Sequence, residues 1–475
     1  MVKPNILLLM TDQQRADALG CSGGWLETPH LDGIAAGGVR FENCVTNAPV
    51  CIPARLSLAT GLYPHNTGVW DNQASQLSGD QPTWMQRVRS AGYRTSLFGK
   101  THLHPHSGDL RDREYLMKTY GLDDVDEIGG PRASMRVLSH MTVWWRDAGV
   151  WDRYKADFEE RFEEKPHTVR PSPLGMEHYA DVYDGQRAKQ YIENYDLNQP
   201  WCCWVSFGGP HEPWDAPEPY ASMYDPQRMP PPRAVPTSVV GRPSGGLDNK
   251  LAQGAELMEE DIGAMRANYA GNTSLIDAQI GEILEAVEHR GELDNTIIVF
   301  VSDHGEMNGD AGLVYKSNFL DGAVRVPLLV RAPGMAQGAV CTSPVEWFDI
   351  GPTLVELAGG EIDYAQFARS LCPVLSEPNA AHRSEAISEL DGEVMLLDEQ
   401  WKVVLNAEGQ VYMLFDVCND PHESTNIAGD PAMRAVEDAL RLRVLDRLLQ
   451  TQLRGSGYAF DVHGPIKPRR ASAGS

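Results

Sequence analysis

Four strand-like runs constrain the fold of this chain most: Asn5–Met10, Trp201–Phe207 and Thr296–Val301, which are almost wholly apolar, and Tyr93–Phe98, which is apolar only at its ends. None alternates apolar with polar residues, so each suits a strand buried on both faces. Val326–Val330 is a further run of this kind. Between them lie helical patterns at Pro82–Ala91, Ala180–Asn194, Asp261–His289 and Trp347–Ala358. Gly92 and Gly291 close the first and third of these. Strands alternating with helices predict an α/β fold, a large mixed but mostly parallel sheet sandwiched by helices.

From about Arg383 the pattern changes. Ala386–Glu389, Glu393–Leu397, Trp401–Leu405 and Val411–Phe415 are short strand-like runs, with turn signals at Asp391-Gly392 and Glu408-Gly409. A helical pattern follows over Pro431–Leu449. These features predict a catalytic α/β region over residues 1–380. A smaller C-terminal region, an antiparallel sheet plus helix, is expected over 381–475. Asp109–Arg170 and the proline-rich Ala216–Glu256 have weak periodicity and read as insertions at the rim of a site. The residues after Gly455 read as peripheral.

A formal charge of −25 over 475 residues argues against a nucleic-acid surface and against long polyanions. A small anionic substrate remains compatible, because a metal and a few cations can dominate one pocket. The N-terminal apolar run stops at Asp12, too early for a signal peptide, and no run reaches membrane-spanning length. A cytoplasmic, non-membrane protein is expected, and the composition leaves a homo-oligomer open. The eight cysteines form no CxxC pair. All but Cys51 are expected to be reduced and buried.

Ligands in parallel sheets gather at the carboxyl ends of strands. Asp12, Lys100, His211 and the pair Asp303-His304 each follow one of the strand-like runs. Carboxylates with one imidazole or amide suit a divalent cation, which makes Asp12, Gln13, Asp303 and His304 metal candidates. Lys100 and His102, two residues apart, share a face if the chain is extended there. His104 and His106 add a local histidine cluster that is itself a metal candidate. Cys51-Ile52-Pro53-Ala54-Arg55 opens a helical run, with proline suited to the first turn. Cys51 then lies at a helix N-terminus, which favours an anion, with Arg55 one turn on along the same face.

Cys-x-Pro-x-Arg resembles the signature of the type I sulfatases of the alkaline phosphatase superfamily. The likeness extends along most of the chain. Phe98-Gly99-Lys100-Thr101-His102-Leu103 resembles the family's Gly-Lys-Trp-His-Leu motif, with Thr101 in place of Trp. Gly209-Pro210-His211-Glu212-Pro213 resembles its Pro-His-x-Pro segment, and Gly322–Leu328 its Gly-Gly-x-Arg-Val-Pro-Leu strand, preceded by Lys316. Asn419-Asp420-Pro421-His422-Glu423 resembles a late family segment.

The resemblance implies an alkaline-phosphatase-like fold and hydrolysis of an aryl or carbohydrate sulfate ester. It implies that a formylglycine-generating enzyme oxidises Cys51 to formylglycine, whose hydrate, a geminal diol, attacks sulfur. Asp12, Gln13, Cys51, Asp303 and His304 would hold one divalent metal, Ca²⁺ first, with Mn²⁺ or Mg²⁺ as alternatives. Arg55 would orient the diol, and Lys100 and Lys316 would neutralise sulfate oxygens. His211 would protonate the departing alcohol. His102 would deprotonate the second hydroxyl, and Asn72 is a further substrate contact.

Gln13 and His304 depart from the usual Asp-Asp and Asp-Asn pairs and are similar to phosphonate monoester hydrolases. A phosphonate monoester or phosphodiester hydrolase using the same diol is therefore the alternative. A cysteine hydrolase with a Cys51 thiolate leaves Asp12 and Asp303 without a task, and a non-catalytic binding protein leaves the whole constellation without one. The alcohol that carries the sulfate is not legible here.

Overall fold

The computed structural model describes residues 3–73, 75–164, 168–238 and 257–453. Among these, eight strands form one sheet: β1 Asn5–Thr11, β2 Val39–Phe41, β3 Arg94–Gly99, β4 Asp124–Glu127, β5 Trp201–Ser206, β6 Thr296–Ser302, β7 Leu328–Arg331 and β8 Ala339–Cys341. Their order is β8-β2-β7-β6-β1-β5-β3-β4. The run β4-β3-β5-β1-β6 is parallel throughout. β7 runs antiparallel to both its neighbours. The mostly parallel α/β architecture expected from the sequence is the one observed.

Period-two geometry splits each central strand between two cores. Ile6, Leu8 and Met10 of β1 face one, with Trp84, Trp204, Val299 and the apolar residues of helix α1 (Cys51–Thr60). Leu7 and Leu9 face the other, with Phe300 and residues of α2 (Ala180–Glu193) and α3 (Glu259–His289). All five β1 side chains are fully buried, which is why the N-terminal run is continuously apolar. Each contributes roughly 1.5–3 kcal/mol of burial. β1 aligns Leu8 with Trp204 on one side and Val299 on the other. This register brings the ends of β1, β5 and β6 level.

A separate four-stranded antiparallel sheet follows: β9 Ala386–Leu390, β10 Glu393–Leu397, β11 Trp401–Leu405 and β12 Val411–Asp416. Asp391 and Gly392 both take positive φ, 50° and 81°, at the tight β9–β10 turn. Helix α4 (Arg434–Gln450) comes next. Leu396, Val403 and Met413 of this sheet belong to the same apolar cluster as Ile6 and Leu8.

The segment read as a rim insertion, Asp109–Arg170, is more ordered than its periodicity implies. It supplies edge strand β4 and, among the described residues, the helices Glu114–Tyr120, Gly130–Ala133, His140–Asp147 and Trp151–Glu164. The last two pack a small core of their own around Ile128, Met141, Trp145, Tyr154 and Phe158. β4 reads Asp124-Val125-Asp126-Glu127, an edge strand with no apolar run to announce it. The short strands β2 and β8 escape the same criterion. Part of the second rim segment, residues 239–256, and the C-terminal residues 454–475 lie outside the described residues. All eight cysteines are free; Cys21 is half-buried and Cys418 exposed, so burial does not extend to every one. Among the described residues no helix is long and apolar enough to cross a membrane.

A buried ion network ties the main domain to the approach of β9. Asp349 accepts from Arg383 Nε at 2.9 Å and from His382 Nε2 at 3.0 Å. Glu346 lies beside Arg383 at 3.4 Å and accepts from the Ile387 N–H at 2.8 Å. Removing the buried cation strands the carboxylates. Arg383→Met is expected to lower unfolding stability by about 3–5 kcal/mol, read by urea titration. Arg383→Met with Asp349→Leu should recover part of that loss. A single variant as stable as the parent would contradict this.

Candidate active site

The first side chain past β1 and the first two past β6 meet the start of α1. Asp12 Oδ1 lies 3.9 Å from Cys51 Sγ, and His304 Nε2 lies 3.0 Å from the same sulfur. His304 Nε2 is 3.8 Å from Asp12 Oδ1 and 3.7 Å from Asp303 Oδ1. One ligand atom from each of Asp12, Cys51, Asp303 and His304 lies within 4.8 Å of every other, and all four residues are buried. His304 Nδ1 is hydrogen-bonded to the Gly305 carbonyl at 3.0 Å. This leaves Nε2 facing the cluster, the tautomer a metal ligand needs.

Arg55 is fully sealed from solvent behind these groups. Its Nε donates to Asp303 Oδ2 at 2.8 Å and its Nη2 to Asp12 Oδ2 at 3.0 Å. Nη1 reaches the Lys100 carbonyl at 2.6 Å and Ser206 Oγ at 3.1 Å. Lys100 Nζ also bonds Asp12 Oδ2. Two carboxylates therefore have their outer oxygens neutralised while their inner oxygens converge with an imidazole. That donor set fits a divalent cation of the hard or borderline kind.

Backbone detail makes this convergence possible. Gly99 ends β3 at φ 112°, and a Cβ there would lie 1.9 Å from the Ser206 carbonyl oxygen. Only glycine lets β3 close against β5 while the chain turns Lys100 inward. Gly130, at φ 69°, lies under Lys100; a Cβ would come within 2.9 Å of Lys100 Cδ.

A second polar group adjoins the first. Lys316 Nζ is 2.7 Å from His211 Nε2 and bonds Gln13 Oε1. Gln13 Nε2 donates to Glu212 at 3.0 Å and to Glu306. The backbone N–H of Gln13, not its carboxamide, meets Asp303 Oδ1, at 3.1 Å. Burial and the neighbouring Glu212 push the Glu306 carboxyl up. Burial raises Glu212 too, but His211, Lys316 and Arg132 outweigh it and bring it to about 2.

Electrostatics at Cys51 are one-sided. Burial alone would raise its thiol; Lys100, Lys316 and His304 outweigh burial and hold it well below the ordinary range. Burial opposes protonation of His304, yet Asp303 and Cys51 carry it up to about 9; a cation in the cluster would replace that proton. His102, at φ 60°, hydrogen-bonds Cys51. Burial, Lys100 and His106 drive it well below the usual imidazole range, which favours the neutral ring.

The structure thus brings Asp12, Cys51, Arg55, Lys100, His102, Asp303 and His304 together, with Gln13, His211 and Lys316 in the adjoining group. Asn72 is exposed, and its Oδ1 accepts from the Ile52 N–H at 2.9 Å, a bond that secures the start of α1. His104 and His106 turn to a partner not foreseen, Glu127 at the end of β4, at 2.7 and 3.1 Å. Glu212, Glu306 and Arg132 were missed as well. Glu212 and Glu306 stand inside the Pro-His-x-Pro and Asp-His segments and could have been read as partners of their neighbours.

The Sulfatase family profile matches residues 4–360, and the profile described as N-sulphoglucosamine sulphohydrolase, C-terminal, matches 309–450. A choline-sulfatase of Rhizobium meliloti (strain 1021) is 31% identical over 446 residues, covering 90% of this chain and 83% of the relative. The multifunctional alkaline phosphatase superfamily protein PehA of Trinickia caryophylli is 29% identical over 485 residues, covering 92% and 93%. The phosphonate monoester hydrolase of Agrobacterium radiobacter superposes with a TM-score of 0.77 at 26% identity, covering 95% and 96%. Matched over three quarters of its length by the family profile and carrying the strand-end cluster on the corresponding fold, this chain belongs to the sulfatase family.

Proposed function

We propose that the chain hydrolyses a sulfate ester, aryl or carbohydrate, to an alcohol and inorganic sulfate, with position 51 as the nucleophile once Cys51 is converted to formylglycine. The observation that carries this reading is the setting of Cys51: it joins Asp12, Asp303 and His304 in one buried cluster, and Lys100 and Lys316 are near enough to favour an anion there. A thiol cannot readily open a sulfate ester and be regenerated; the hydrated aldehyde supplies an oxygen nucleophile and a way to release sulfate. Formylglycine-generating enzyme is the implied partner.

The oxygens of Asp12 and Asp303 with His304 Nε2 would hold one divalent metal beside position 51. Gln13 Oε1 keeps a second lone pair beyond the one Lys316 takes, so it remains an available donor. An oxygen-dominated set favours Ca²⁺; the single imidazole keeps Mn²⁺ and Mg²⁺ open. The ion would polarise the S–O bonds as a Lewis acid.

The remaining work belongs to this chain's side chains. Lys100 and Lys316 neutralise the non-bridging oxygens as charge develops, preorganised stabilisation in a water-poor site. Arg55 fixes Asp12 and Asp303 and sits one helical turn from position 51, which orients the nucleophile. His211, whose Nε2 is 2.7 Å from Lys316 Nζ, would give a proton to the leaving oxygen. His102 accepts the proton that must leave position 51 as sulfate departs.

A second reading has specific support. PehA and the phosphonate monoester hydrolase of Agrobacterium radiobacter are similar over nearly the whole chain. Sulfate and phosphonate monoesters both present one negative charge, so the same cations serve either. Parallel kcat/KM values on an aryl sulfate, an aryl phosphonate monoester and a phosphodiester test the choice. The sulfate should be preferred; a phosphonate preference of several orders would sink the sulfatase reading.

Acid catalysis by His211 makes a separate expectation. His211→Ala should cost alkyl sulfates about 10²–10⁴-fold in kcat/KM and 4-nitrophenyl sulfate far less, because nitrophenolate departs unassisted. Equal losses across leaving groups would remove His211 from that role.

A further inference from the structure

Four cations surround the reaction centre, and one differs from the rest. Arg55, Lys100 and Lys316 are buried, at 0%, 3% and 9% exposure. Arg132 has half of its side chain, 50%, in solvent. It lies on the short helical turn Gly130–Ala133 that follows β4, the turn whose Gly130 packs under Lys100. Its Nε donates to Glu212 Oε1 at 2.9 Å, and Nη2 bonds the same oxygen. Glu212 adjoins His211, and its other oxygen accepts from Gln13. The guanidinium stands over the Phe162 ring at 4.6 Å and the Tyr315 ring at 5.9 Å, and Tyr315 is stacked on Trp214. The charge is close enough for Cys51 to act on it.

This is a cation held rigidly at the mouth of the site. Glu212 fixes its direction, the aromatic faces flank its plane, and half of the side chain remains in solvent. Glu212 engages only two of the five N–H donors of an arginine, so the group has capacity for a second anion. A purely structural ion pair for buried Glu212 would not need half its cation in water. The chain as a whole is strongly acidic, and an organic dianion approaching it meets repulsion unless a local cation offsets this.

Building on the hydrolase reading, we propose that Arg132 is a specificity residue that binds a second anionic group on the alcohol part of the substrate. The preferred substrates are then sulfate esters of alcohols that carry another negative charge, with a ring or other flat face against the Phe162–Tyr315–Trp214 aromatic rim. The phenol or sugar need not be named for this to be tested, because the charge itself is the recognised feature.

The test compares 4-carboxyphenyl sulfate with its methyl ester, and the 3-carboxy pair beside them, on the parent, Arg132→Ala and Arg132→Lys. Each variant is compared with the parent on the same substrate, so leaving-group differences cancel. For at least one isomer, Arg132→Ala should lower kcat/KM on the free acid about 10- to 100-fold more than on the ester, the scale of a charge-assisted hydrogen bond. The excess should lie mainly in KM, and Arg132→Lys should restore part of it. In the parent enzyme the acid-over-ester preference should shrink as salt rises; this measurement stands even if Arg132→Ala fails to fold. Equal losses on acid and ester in both isomer pairs, or a parent with no salt-sensitive acid preference, would overturn the proposal and leave Arg132 as a positioning partner of Glu212. A parent inert on all four sulfates would overturn the hydrolase reading and this inference together.

Discussion

The guanidinium of Arg55 has no contact with solvent and touches the ends of four strands. It bonds Asp12 after β1, Asp303 after β6, the Lys100 carbonyl after β3 and Ser206 at the end of β5. Two buried carboxylates this close repel by several kcal/mol at the effective dielectric of such sites, about 4 kcal/mol at 4 Å. Arg55 offsets that repulsion from behind, through the Oδ2 atoms of both carboxylates. Because it belongs to α1, one turn after Cys51, the group that holds the carboxylates together also sets where Cys51 stands.

From this follows a division of labour by side of the cluster. Asp12 Oδ2 is shared by Arg55 and Lys100, while Oδ1 faces Cys51 and His304. Asp303 spends Oδ2 on Arg55 and presents Oδ1 to the backbone N–H groups of Gln13 and His304. The second polar group, built on Gln13, Glu212, Glu306 and Lys316, then carries His211 and, further out, Arg132. Charge is dense in both groups but nearly matched within each. Such a site stabilises a tetrahedral anion by fixed cations and by geometry. Those cations do not themselves distinguish sulfur from phosphorus, which accords with likeness both to named sulfatases and to phosphonate monoester hydrolases.

Legibility from sequence tracked burial. The four strand-like runs are β1, β3, β5 and β6, each within a residue or so of expectation; in β1, β5 and β6 burial on both faces makes the run almost wholly apolar, whereas β3 carries Thr95 and Ser96 in its buried stretch. The turn residues Asp391-Gly392 and Glu408-Gly409 marked the small sheet for the same local reason. β4 was not legible: at a sheet edge its alternate acids need no apolar partner. Strand-end placement drew attention to Asp12, Lys100, His211, Asp303 and His304, and the structure gathers these residues around Cys51 and Lys316. Residues that support them, Glu127, Glu212, Glu306 and Arg132, carry no periodicity and meet their partners across 21 to 293 positions of chain. Only the folded arrangement shows that Glu127 occupies His104 and His106, or that the Gln13 carboxamide joins Lys316 to two glutamates.

On the proposed reading Cys51 is a precursor, and the group doing the chemistry is hidden by the one-letter code. Mass spectrometry of the proteolytic peptide containing Cys51, taken from enzyme of measured specific activity, addresses it most directly. The expected result is an aldehyde at position 51, in a fraction that rises and falls with activity between preparations. Fully active enzyme whose Cys51 peptide carries only an unmodified thiol would contradict it.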